Sequence, residues 1–244
     1  VFWQLLSWAL YLILAFNFPN RPACQNAFKT FFVHRVGDVS FLFGIFLAYK
    51  YFGTLEFADL FKAAAEQPQV ISLFSGMLDI SAVTAIALLI FVGAMAKSAQ
   101  FPLHVWLPDT MDSPTPVSAL MHAGIINAGG FLLNRLAPFY AFSPNTLHIV
   151  FVIGVLTVLL GASMMLAQND IKKMLGFSTM GQMGYMIMEC GLGAFALAIF
   201  HLIAHGLFKA SLFLGAGQGI HASREEPKVP GSSEHEPQKS SNSL

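Results

Sequence analysis

About seven apolar runs, each long enough to cross a bilayer, fill this chain and are separated by short turn-forming joints. They fall at roughly 2–18, 30–52, 78–98, 115–138, 147–167, 172–190 and 193–217. A membrane-spanning helix needs about 20 mostly apolar residues. In lipid, only helices or closed barrels satisfy every backbone amide and carbonyl. Continuous apolar runs, rather than short alternating segments, select helices. The joints carry turn chemistry: Pro19-Asn20-Arg21-Pro22, Gly53, Pro138, Ser143-Pro144-Asn145, Asn169-Asp170 and Gly191. The pattern predicts an all-α, polytopic transmembrane helix bundle. One amphipathic stretch, Phe57 to Ala65, is expected to lie at the interface rather than to cross.

Composition points the same way. Charged residues are 11% of the chain and apolar residues 55%, where an ordinary soluble domain carries roughly 25% charge. The formal net charge is zero, which gives no reason to expect a nucleic-acid partner. Cys24 and Cys190 are too few and too far apart for a disulfide framework or a metal site. The chain opens inside an apolar run without a basic leader, so it is expected to be part of a longer subunit. From His221 onward Ser, Glu, Lys and Pro dominate. Residues 1–220 are therefore read as the transmembrane domain and 221–244 as a disordered polar tail. Alternating the helices across the bilayer groups Arg21, Lys29, Lys172 and Lys173 on one side, with Asp109 and Asp112. The other side holds Glu56, Asp59, Glu66 and Asp79, with Lys62 and Arg135 nearby. The positive-inside rule places the first set in the cytoplasm.

Charge within membrane depth is costly, at least about 2.5 kcal/mol per group, and marks function by default. Lys97 follows a long apolar run and stands five residues before Pro102. Proline removes a donor and disfavours helix at the residue before it, so a discontinuous helix is expected near Lys97–Pro102. Broken helices line cavities and ion sites in transporters. A lysine there can exchange its proton as a negative partner approaches or withdraws; alternatively it snorkels to the interface. His201, His205 and Lys209, spaced by four, share one face of an apolar helix and suit a proton relay. No third ligand marks a metal site there. His122, followed by a small-residue run, is open between packing and relay. Arg35 and Asp38 stand three apart beside His34 and suit a structural ion pair. Phosphate-binding loops, dinucleotide glycine patterns, iron–sulfur cysteine clusters and nucleophile elbows are lacking. Neither a cofactor nor a metal is expected in this chain, and it reads as a transporter subunit rather than an enzyme.

The run Lys97-Ser98-Ala99-Gln100-Phe101-Pro102-Leu103-His104-Val105-Trp106-Leu107-Pro108-Asp109, continuing into Pro114-Thr115-Pro116-Val117-Ser118-Ala119-Leu120-Met121-His122-Ala123, resembles the signature of the antiporter-like membrane subunits. That family comprises the large proton-pumping subunits of respiratory complex I and the Mrp cation/proton antiporters. Arg35-Val36-Gly37-Asp38, Asp170-Ile171-Lys172-Lys173 and His201-x-x-x-His205-x-x-x-Lys209 fit it in order and spacing. The resemblance implies that Lys97 is a protonatable lysine beside the break and that His122 bridges from it. His201, His205 and Lys209 would carry a polar axis onward, with Lys172 or Lys173 as a further link. It also implies two inverted repeats, of which this chain shows one broken helix, a partial antiporter fold.

The stretches after His122 and from Met188 to Phe195 resemble the DabB-type subunits of inorganic-carbon accumulation. This implies a large soluble zinc-binding DabA-like partner, similar to β-carbonic anhydrase, and a bacterial inner (plasma) membrane location. Zinc is expected in that partner only. Where complex I subunits typically carry a glutamate after a tryptophan, this chain has Trp3-Gln4. Gln4 hydrogen-bonds but does not titrate, leaving Asp38 or Glu189 as possible substitutes. Three readings stand: a DabB-like subunit moving H⁺ or Na⁺, a proton-pumping subunit of a quinone-reducing translocase or Mrp assembly, and a non-translocating structural remnant.

Overall fold

Pro22 sits in the first turn of a 32-residue helix and Gly53 closes it in the left-handed conformation, at φ +70°. This is the pairing of N-terminal proline and C-terminal glycine that bounds helices. The computed structural model describes residues 1–66, 69–73 and 78–225. Its helices are α1 (Phe2–Leu14), α2 (Arg21–Phe52), α3 (Phe57–Glu66), α4 (Ala82–Lys97), α5 (Thr115–Ala123), α6 (Ala128–Arg135), α7 (Ala137–Ala141), α8 (Pro144–Leu166), α9 (Ile171–Gly191) and α10 (Phe195–Glu225). A 3-10 turn spans Pro108–Asp112 and another Ile125–Asn127.

Each of the seven apolar runs contains helix. Arg21–Phe52, Thr115–Arg135, Pro144–Leu166 and Phe195–Gly215 are long and apolar enough to cross a membrane, while α1 and α4 are apolar but shorter. α3 coincides with the amphipathic stretch expected at the interface.

Four local differences separate structure from expectation. α2 starts at Arg21, well before residue 30. Polar Gln25, Asn26 and Lys29 made that end read as loop, yet they are helical residues beyond the apolar part of the span. The third run loses its start to a two-stranded antiparallel hairpin, β1 (Val70–Leu73) and β2 (Leu78–Ser81), with Val70 opposite Ser81. Hydropathy alone does not distinguish such a strand from a helix turn. The fourth run is interrupted at Gly124 to Asn127, a second discontinuity beside the one at Lys97. α10 reaches Glu225, into the stretch assigned to the tail; residues 226–244 lie outside the described residues.

α8 and α9 pack closely. A Cβ on Gly161 would lie 2.6 Å from the Gly181 nitrogen, and one on Gly184 2.8 Å from the Val158 nitrogen. Backbone thus meets backbone, as small residues permit where lipid supplies no hydrophobic drive. Phe28, Phe32, Phe43 and Phe46 of α2 and Phe200, Ile203, Leu207 and Phe208 of α10 are exposed. Apolar faces of that extent suit lipid or neighbouring subunits.

The start of α9 is capped by Asp170, whose Oδ1 accepts from the Lys173 backbone N–H at 2.9 Å. Asp170→Ala is expected to cost about 1 kcal/mol, read as a small drop in the melting temperature of the full-length subunit in detergent. An unchanged melting temperature would show that the cap is dispensable.

Candidate functional site

α4 ends at Lys97, and residues 98–107 follow without regular structure although Ser98, Ala99, Gln100, Trp106 and Leu107 are buried. Irregular backbone at such depth must be satisfied by protein. The Phe101 N–H donates to Thr157 Oγ1 at 3.0 Å, and Trp106 Nε1 donates to the Ala96 carbonyl at 3.0 Å. Ser98 Oγ donates to the Ile126 carbonyl at 2.6 Å and accepts from the Gly129 N–H at 3.1 Å. Ala99 takes φ +47°, a left-handed conformation held only where the surroundings over-determine it. Ser98 therefore ties the end of α4 to the interruption between α5 and α6.

Lys97 is 1% exposed. Its ammonium donates to Ser7 Oγ and lies 3.5 Å from Asp38 Oδ1, with the Trp3 ring 5.4 Å away. Ser7 donates in turn to Asp38 Oδ2 at 3.3 Å. The same Oδ2 is 3.3 Å from the Arg35 guanidinium. Arg35 rests over the Phe31 ring at 4.5 Å and reaches the Gln4 carbonyl at 3.5 Å. One buried carboxylate is thus shared by two cations. Gly37 makes the approach possible, since its missing side chain would collide with Ala96.

A second buried group lies between α5, α9 and α10. Lys209, 2% exposed, donates to Ser178 Oγ at 2.9 Å and to the Leu175 carbonyl at 3.3 Å. His201 Nδ1 is 3.2 Å from both oxygens of Glu189, and its Nε2 is 2.9 Å from Gln182 Oε1. The His201 and His205 rings stand 6.2 Å apart. His122 is fully buried and stacked on Phe213 at 4.6 Å. Ser178, Gln182, His201, His205 and Lys209 line a cleft of about 290 Å³. Among the described residues both ring nitrogens of His122 and of His205 are buried without a protein partner. Buried unpaired polar atoms are costly and require explanation.

These features can be set beside known proteins. The family described as NADH:quinone oxidoreductase/Mrp antiporter, transmembrane, matches residues 1–230. The chain belongs to that family. It is 50% identical over 228 residues to the probable inorganic carbon transporter subunit DabB1 of Halothiobacillus neapolitanus, covering 93% of this chain and 40% of that protein. It is 47% identical over 230 residues to the chloroplastic NAD(P)H-quinone oxidoreductase subunit 5 of Lotus japonicus, covering 91% of this chain and 29% of that one. Among solved structures it resembles the Mrp complex of Dietzia sp. DQ12-45-1b, with a TM-score of 0.81 at 30% identity over 91% of this chain and 24% of that chain. The chain spans 40% or less of the length of these curated relatives.

Within this antiporter-family subunit, the structure gathers Lys97, Arg35 and Asp38 in one group. It gathers His122, His201, His205, Lys209 and Glu189 about the other. Pro102 lies in the irregular segment, past the end of α4. Gln4 serves Arg35 through its carbonyl, and its side chain is not among the partners of Lys97. Lys172 donates to the Ser113 carbonyl at 2.9 Å, tying α9 to the loop before α5, and Lys173 is exposed. Neither lysine touches the two buried groups through a hydrogen bond. Lys29 and Asp109 pair at 2.6 Å at the end of the bundle expected to face the cytoplasm. Among the described residues no group of three or more His, Cys, Asp and Glu gathers as a metal site.

Ser7, Ser178 and Gln182 escaped the sequence reading. Ser178, Gln182 and Glu189 are four and seven apart on α9, a helical-face spacing that could have found them. Ser7 stands alone among apolar neighbours and gives no such signal.

Proposed function

We propose that this chain is the cation-translocating part of a DabB-like subunit in a bacterial inner membrane, moving H⁺ or Na⁺ to energise CO₂ or bicarbonate accumulation. The observation that carries this is Lys97: a buried ammonium at a helix break, held by a carboxylate it shares with Arg35. A charge so expensive to bury, with a counter-charge able to serve either of two cations, is suited to loading and release. His122, on α5 beyond the Ser98 junction, leads to His205, Lys209 and His201, with Glu189 as the acid of the second group. The chain carries no redox or hydrolytic chemistry of its own in this reading; the partner does the hydration.

The DabB reading draws support from the 50% identity to DabB1 and from Gln4 at a position where complex I subunits carry an acid. Its partner would be a large, soluble, zinc-binding DabA-like subunit. A second reading, a pumping subunit of a quinone-reducing or Mrp assembly, draws support from the 47% identity to a quinone oxidoreductase subunit and the likeness to the Mrp complex. Affinity purification of the full-length tagged subunit from its native membrane, with mass spectrometry and zinc analysis, separates them. Recovery of a large zinc protein is the expected result. Recovery of quinone-reductase or Mrp subunits instead would overturn the DabB assignment.

A further inference from the structure

We propose that His34 is a proton relay on a polar stripe of α2 that feeds Lys97 from the Lys29–Asp109 end, which makes the translocated ion a proton. The inference rests on the translocation reading above and names its ion and its entry route.

Asn26, Thr30, His34 and Asp38 are spaced by four along α2 and so share one face. At 1.5 Å per residue the stripe is about 18 Å long, more than half of a bilayer's hydrocarbon core of about 30 Å. Its outer end is anchored where the charges are: Asn26 Nδ2 donates to the Asp109 carbonyl at 3.0 Å, and Lys29 pairs with the Asp109 carboxylate. Its inner end is Asp38, which faces Lys97. Thr30 and His34, the two rungs between, are 1% and 0% exposed. Thr30 donates to the Asn26 carbonyl at 2.8 Å, leaving its oxygen lone pairs as acceptors toward the next turn.

His34 is the unexplained rung. Both of its ring nitrogens are buried without a protein partner among the described residues, and Trp106 meets the ring edge-on at 4.7 Å. A histidine placed for packing alone would leave a donor and an acceptor unmet in the interior, which is costly. An aromatic or aliphatic side chain would pack on Trp106 without that cost. The charges that act on the ring are Arg35 on its own helix and Lys97 on α4; Asp38, one turn further along α2, pairs with that lysine, and Trp106 comes from the loop after α4.

The step balances simply. A hydronium ion at the Lys29–Asp109 end supplies the proton. Once the Thr30 hydroxyl turns from the Asn26 carbonyl toward the ring, one ring nitrogen takes the hydroxyl proton as an O–H bond breaks and an N–H bond forms. Thr30 is then reprotonated from the outer side. The other ring nitrogen loses its proton toward the Lys97 amine, whose ammonium is then held by Asp38. Reversal of the tautomer resets the ring. An imidazole can do this for a proton and not for a bare alkali cation.

The test uses the full-length subunit with its native partners, reconstituted in vesicles holding a pH-sensitive dye, with sodium omitted or added. His34→Phe is expected to assemble and to slow proton entry by about tenfold or more. His34→Ala is expected to be equally slow and to recover several-fold when imidazole is added. His34→Phe transporting at the unsubstituted rate would overturn the relay, leaving His34 a packing residue. So would an assembled His34→Ala that imidazole fails to restore. If the unsubstituted subunit moves sodium and no protons, the relay is wrong and translocation stands. If it moves neither ion, both fail.

Discussion

Lys97→Ala in the complete subunit is expected to cut coupled transport by about a hundredfold or more while the subunit still assembles. The loss follows from the geometry: Lys97 is the group at which the break in α4, the Ser7 hydroxyl and the Asp38 carboxylate converge. Assembly survives because the substitution removes a costly buried charge and leaves Asp38 paired with Arg35 and Ser7. Asp38→Ala differs. It leaves Lys97 buried without its counter-charge, and breaking a buried pair in that way costs about 3–5 kcal/mol. That variant should lose both transport and yield. Transport assays beside native-gel assembly check both. Full transport by Lys97→Ala would remove this lysine from the mechanism.

Gly161→Val is expected to lower stability by opening the α8–α9 contact. Even a Cβ at this position would lie 2.6 Å from the Gly181 nitrogen and 2.8 Å from its Cα, and neither backbone atom can rotate away. α8 and α9 must separate, at a cost of about 1–3 kcal/mol or more for overpacking of this kind. Because α9 carries Ser178, Gln182 and Glu189, the shift also spreads the second buried group. Gly215→Ala is the control: a Cβ there meets nothing within 4 Å, and replacing a helical glycine by alanine gains up to about 1 kcal/mol. Melting of the two variants in detergent should move in opposite directions. A Gly161→Val subunit as stable as the parent would contradict the observed helix contact.

The helices were legible because a bilayer demands long apolar runs, which are written directly in the residues. Their ends were less so. The first turns of α2 carry Arg21, Gln25, Asn26 and Lys29, and hydropathy assigns them to a joint. Pro102 announces the break after Lys97, whereas the interruption at Gly124 to Asn127 rests on small residues that read equally well as close helix packing. The Arg35–Asp38 pair followed from helical spacing. Its link to Lys97 joins residues 59 apart and depends on Gly37 lying against Ala96, which spacing does not reveal. Ser7 belongs to the same long-range class. His201 and Glu189 were each visible as ionisable residues in apolar surroundings, but their pairing awaits the turn between α9 and α10.

Coupling itself is tested most directly in vesicles that hold the full-length subunit with its partner and carry an imposed proton gradient, with partner turnover as the readout. Turnover should rise with the gradient, collapse when an ionophore dissipates it, and ignore it in the Lys97→Ala variant. Partner turnover that is the same with and without the gradient would contradict a cation-driven role for this subunit.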